Sequence, residues 1–123
     1  RRFVNLRSLN LDACDSLTEI PDASCLSKLE NLSFEFCRNL LTIHYSVGLL
    51  EKLRILCAGD YPELRSFPPL KLTSLEQFNL SGCHSLESFP EILGKMENIK
   101  VLDLDDCRIK KFRPSFQNLT RLQ

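Results

Sequence analysis

Leu75-Glu76-Gln77-Phe78-Asn79-Leu80-Ser81-Gly82-Cys83-His84-Ser85-Leu86-Glu87-Ser88-Phe89-Pro90 is the stretch that decides the fold. Apolar residues stand at 75, 78 and 80, a cysteine at 83, then Leu86 and Phe89-Pro90 at further steps of three. Residues 78 and 80 are two apart, the spacing of side chains on one face of a strand. The pattern recurs on both sides. Leu6, Leu9, Leu11, Cys14, Leu17 and Ile20-Pro21 carry it first, then Leu29, Leu32, Phe34, Cys37, Leu40 and Ile43. Leu53, Leu56, Ala58, Tyr61, Leu64 and Phe67-Pro68 follow. After the quoted stretch come Ile99, Leu102, Leu104, Cys107, Ile109 and Phe112, one residue short in the second half. Another start falls at Leu122, and an apolar residue precedes each start by three, from Phe3 to Leu119.

Repeat starts near 6, 29, 53, 75, 99 and 122 are 22 to 24 residues apart. A fixed period of this length resembles that of leucine-rich repeats. The expected fold is an α/β solenoid, a horseshoe segment with a parallel β-sheet on its concave face. Irregular, 3-10 or short helical returns would form the convex face. Residues 46–52 and 91–96 are the segments expected to make a helical turn or two. A repeat of this kind buries its apolar side only against its neighbours. Residues 1–123 read as one fragment of such a domain, cut at both ends from a longer chain and without terminal caps.

The 123 residues suffice for one domain, and 43% of them are hydrophobic, enough for a core. Sixteen basic and sixteen acidic residues balance. A nucleic-acid binder would carry a basic excess, so no nucleic acid is expected as partner. No apolar run reaches the length of a membrane span, and Arg1 to Asn5 lead into no signal-peptide core.

Four of the six cysteines, Cys14, Cys37, Cys83 and Cys107, share one repeat position, where Tyr61 stands in the third repeat. This periodic placement reads as a buried structural ladder of reduced thiols, each a small group able to donate weakly to a carbonyl. Cys25 and Cys57 lie elsewhere. No C-x-x-C pair offers zinc ligands, and reduced thiols suit a cytosolic or nuclear setting. Cys83-His84 is no catalytic dyad in this register, because Cys83 points inward and His84 begins a turn. Gly94-Lys95-Met96 lacks the hydroxyl residue and earlier glycine of a phosphate loop. Of the sequons at Asn31, Asn79 and Asn118, two lie inside expected strands where the repeat itself generates Asn-Leu-Ser, and chance accounts for the set. No cofactor, metal or catalytic residue is expected.

Function should sit on the strand positions that face out of the concave sheet. These form four slots: Ser8, Asn31, Ile55, Gln77 and Val101; then Asn10, Ser33, Cys57, Asn79 and Asp103; then Asp12, Glu35, Gly59, Ser81 and Asp105; then Ala13, Phe36, Asp60, Gly82 and Asp106. The acids there are Asp12, Glu35, Asp60, Asp103, Asp105 and Asp106, with no Lys or Arg. Bases such as Arg38, Lys71, Lys95, Lys110, Lys111 and Arg113 fall on turns and returns. An acidic face can steer a basic partner; it can equally serve only to keep a sheet soluble. Phe36 and Ile55 are apolar on adjacent repeats and are candidate anchors.

The wording from Leu9 to Asp22 and from Leu75 to Glu91 resembles plant intracellular nucleotide-binding leucine-rich-repeat receptors with a TIR domain. Ile109 to Leu122 is similar to another repeat of that family, departing at Phe112, Arg113 and Phe116. The resemblance implies a protein-interaction role: sensing pathogen effectors, and contacting the receptor's own nucleotide-binding module to hold it off. Any ATP/ADP exchange or NADase activity would belong to other domains. Two alternatives stay open, the substrate-recognition repeats of an F-box ubiquitin-ligase component and the ectodomain of a cell-surface receptor.

Overall fold

The structure is a computed structural model that describes residues 5–119. Five three-residue strands form the main sheet: β1 (Ser8–Asn10), β3 (Asn31–Ser33), β5 (Ile55–Cys57), β6 (Gln77–Asn79) and β7 (Val101–Asp103). They pair in parallel in that order. Leu9, Leu32, Leu56, Phe78 and Leu102 lie in one register across the sheet. Each points into the core while its two strand neighbours point away, as alternation along a strand requires. Parallel pairing follows from the repeat, because every turn re-enters the sheet from the same side.

Below the strands, Leu29, Leu53, Leu75 and Ile99 are completely buried, as are Leu40, Leu64 and Leu86. Leu9 and Leu102 are only half-buried, since a rung at either end of the described residues has a neighbour on one side alone. The expected repeat start at Leu122 and the apolar Phe3 lie outside the described residues.

The return side is more ordered than the sequence suggests. There β2 (Glu19–Ile20) and β4 (Thr42–Ile43) pair in parallel as a second, two-stranded sheet. Single bridges Leu70–Ile92 and Ser88–Lys111 continue this edge. A 3-10 helix at Tyr45–Leu49 fulfils one helical expectation, and His44 caps it by accepting the Ser46 N–H at Nδ1. Another spans Pro114–Asn118, with proline in its first turn. Residues 91–96 are not helical. Their backbone groups go to adjacent rungs instead: Leu70 N–H donates to Glu91 O at 2.8 Å, and Leu93 N–H to Leu70 O at 2.8 Å. Local helical bonds would forfeit these pairings.

Gly48 permits the closest approach on this side. A Cβ there would overlap the Pro69 carbonyl oxygen, and Gly48 O accepts the Lys71 N–H at 2.7 Å.

Candidate binding face and its supporting ladder

Each strand leads into the same turn. Ala13, Phe36, Asp60, Gly82 and Asp106 all adopt positive φ, between 58° and 76°. This left-handed step swings the next residue inward. Glycine and aspartate tolerate it; a phenylalanine does so at a cost.

The residue swung inward forms the ladder. Cys37 Sγ donates to Leu11 O at 3.1 Å, Cys83 Sγ to Ala58 O at 3.4 Å and Cys107 Sγ to Leu80 O at 2.7 Å. Tyr61 does the same with its hydroxyl, which donates to Phe34 O. The acceptor in every case is the carbonyl of the third apolar residue of the preceding rung. Tyr61 therefore keeps the ladder's bond with a much larger group. Its own rung carries Ala58 where the others carry leucine or phenylalanine, and both residues are completely buried. The Tyr61 ring stacks on Phe34 with centroids 5.5 Å apart. The rung trades side-chain volume between two positions and leaves the turn unchanged.

All six cysteines are free, Cys25 exposed and Cys57 half-buried on the sheet face. Burial pushes the Cys83 thiol up to about 12, so it carries no nucleophilic thiolate at neutral pH. The neighbouring His84 is exposed.

The acidic face has internal structure. Asp12 Oδ1 accepts the Ser33 hydroxyl at 2.6 Å and the Glu35 N–H at 2.8 Å. Asn10, Asn79 and Asp103 each accept the N–H two residues on, at 2.8, 2.8 and 3.0 Å. Glu35 is the centre. Its carboxylate accepts from Asn79 Nδ2 at 3.0 Å, two rungs away. Partial burial holds its pKa above the ordinary value, and the charges of Asp12, Asp60 and Asp103 raise it further. The fold thus brings together Asp12, Glu35, Asp60 and Asp103. Asp105 and Asp106 stand exposed on the last described rung, where their charges reach Cys107.

The two apolar candidates are not neighbours. Ile55 sits at the start of β5, level with Asn31 and Gln77. Phe36 lies at the far turn, with its N–H donating to Gly59 O and its side chain 54% exposed. Four or five strand steps separate their levels, about 15 Å.

A charged column at the leading edge of the sheet escaped the reading of the slots. Arg7 pairs with Glu30 at 2.9 Å and Arg54 with Glu76 at 3.1 Å. Glu76 is held below its ordinary pKa by the hydrogen bond from Arg54, with Arg54 and Lys100 adding their charges. The signal was present: the residue after each repeat start alternates in sign through Arg7, Glu30, Arg54, Glu76 and Lys100. Bases therefore border the acidic face as well as occupying the returns.

A leucine-rich-repeat family model matches residues 74–96 and 98–119. The chain is 37% identical over 97 residues to the TMV resistance protein N of Nicotiana glutinosa, covering 79% of the chain and 8% of that protein. It is 35% identical over 118 residues to disease resistance protein RPP4 of Arabidopsis thaliana, covering 90% of the chain and 10% of that protein. The chain is a run of leucine-rich repeats similar to those of plant disease resistance proteins. Disease resistance protein RPS6 of Arabidopsis thaliana matches over 121 residues at 35% identity, covering 98% of the chain and 10% of that protein. The repeat region thus spans about a tenth of the length of these curated relatives. No solved structure matches it. Among the described residues, no helix is long and apolar enough to cross a membrane.

Proposed function

We propose that this segment is the partner-sensing surface of a plant intracellular immune receptor, working in the cytoplasm or nucleus. Its acidic concave face takes a basic surface of a protein partner, a pathogen effector or the receptor's own nucleotide-binding module. Contact with that module contributes to autoinhibition. The segment itself is not an enzyme; nucleotide exchange and any NADase activity belong to other domains of the receptor.

The observation that carries this reading is the convergence of Asp12, Asp60 and Asp103 on Glu35. Like charges held this close repel one another, and a cationic partner relieves the repulsion. Phe36 adds an exposed ring beside the same turn, of the kind that dominates interface energies when covered.

The test neutralises charge without disturbing the turns. Asp60→Asn keeps a residue that tolerates positive φ, and Asp103→Asn keeps the acceptor for the Asp105 N–H. Capture of basic effector proteins by the full-length receptor carrying both changes should weaken about tenfold and lose salt sensitivity. Unchanged affinity with unchanged salt dependence would reduce the acids to solubilising groups.

A further inference from the structure

The flank where the chain leaves the ladder is charge-neutralised at one end and cationic at the other. On the second rung Arg38 is neutralised by Asp15 at 3.1 Å. Arg65 on the third rung and Arg108, Lys110 and Lys111 on the fifth have no ion-pair partner among the described residues. These four line one depression of about 460 Å³, with Glu87 the single carboxylate in it. A second depression of about 260 Å³ shares Arg65 and adds Arg113, with Glu91 as its carboxylate and Phe67 and Phe89 in its lining.

The walls are held by the fold. Lys110 and Lys111 N–H groups donate to Glu87 O at 3.0 and 3.4 Å, and Phe89 N–H donates to Lys111 O at 3.0 Å. The Ser85 hydroxyl donates to Pro62 O at 2.5 Å across the neighbouring rung. Unpaired cations held on a rigid backbone repel one another, and this is relieved when an anion is bound between them.

We propose that this flank groove binds an acidic, extended segment of a protein partner, on a surface separate from the acidic concave face. The spacing favours a peptide. The cation-bearing third and fifth rungs are about 9.6 Å apart, and residues three apart on an extended chain lie about 10 Å apart, so carboxylates along one chain can meet cations on both rungs. The larger depression has no phenylalanine, tyrosine or tryptophan in its lining, and Phe67 and Phe89 of the smaller one are buried, so neither offers the exposed platform on which nucleic-acid bases stack.

The test measures anisotropy of a fluorescein-labelled peptide with Asp at every third position and Ser between, about eight residues long, with the full chain. Binding should weaken severalfold as ionic strength rises from about 0.01 M to about 0.15 M. Arg108→Glu with Lys110→Glu should weaken it at least about tenfold. Arg108→Gln with Lys110→Gln should give a smaller loss, and provides the reading if charge reversal impairs folding. Lys52→Glu with Lys95→Glu, outside the groove, should leave affinity unchanged. Undiminished binding by the Gln variant, or an equal loss in the Lys52/Lys95 variant, overturns the proposal. So does displacement of the peptide by inorganic phosphate or oligothymidylate at lower concentration than by unlabelled acidic peptide.

Discussion

The two edges of this solenoid solve the same problem in different ways. On the strand edge, every rung uses the same three-residue strand and left-handed turn, and the second to fifth rungs the same inward ladder donor. On the return edge, one pair of rungs makes a small sheet, the next segment coils into a 3-10 helix at Tyr45–Leu49, and residues 91–96 form neither, with a single bridge at Ile92 and a bend at Gly94. The strand edge is constant because each backbone group has its partner at the same place on the next rung. Repeat lengths of 22 to 24 residues shift the return by a residue either way. Each return must therefore satisfy its own backbone groups, and it does so with whichever neighbour lies in reach.

The sharpest way to break the contrast is at Gly48. Gly48→Ala should cost more than about 3 kcal/mol, since the new methyl meets Pro69 backbone rather than a side chain that could turn aside. Urea unfolding of the chain should show a lower midpoint with an unchanged slope. A loss below about 1 kcal/mol would mean the return edge yields more easily than its backbone pairing implies.

That glycine also marks the limit of what was legible. The repeat register, the inward leucines and the ladder follow from one period and one alternation, both local to the sequence. Gly48 looks like any glycine in a loop until the next rung is laid against it. The β2–β4 pairing is hidden for the same reason: Glu19–Ile20 and Thr42–Ile43 are too short to show alternation, and only stacking brings them together. On the candidate face the acids were readable as slots. Their convergence on Glu35 was not, because it depends on how far each side chain leans along the sheet. Phe36 and Ile55 lie on adjacent repeats, as the slots place them, but at different levels of the sheet.

The strand edge can be tested where it departs from its own pattern. Tyr61→Cys restores the usual ladder thiol but leaves the space of a ring, and should cost about 2–3 kcal/mol. Ala58→Leu restores the usual leucine but crowds the Tyr61 ring, at about 1–3 kcal/mol. Combined, the two changes should recover most of the loss, with a coupling of about 1–3 kcal/mol by urea unfolding. Simple additivity would show that Ala58 and Tyr61 do not share one volume, and that the third rung is not merely the common rung with its bulk moved.

The smallest effect concerns charge, and it separates the strand edge's acidic face from the ion-paired column beside it. Burial and the charges of Asp12, Asp60 and Asp103 raise the Glu35 pKa in the folded chain. A carboxyl that holds its proton more tightly when folded stabilises the fold fully below the ordinary glutamate pKa of about 4.3. That contribution is lost as pH rises through the raised value. Glu76 and Asp22 are shifted downward, so they act in the opposite sense and weaken the fold as pH falls. Both are common to the wild-type chain and to Glu35→Gln, and they cancel in the difference. The variant keeps an oxygen to accept from Asn79 and removes only the charge. It should be more stable than wild type at pH about 7, by less than about 1 kcal/mol for so exposed a cluster. The gap should close when both proteins are unfolded in urea at pH about 4, because Glu35 is then largely protonated in both states. A gap that widens on acidification would mean that the bond from Asn79 outweighs the repulsion, and that the acidic face is already neutralised from within.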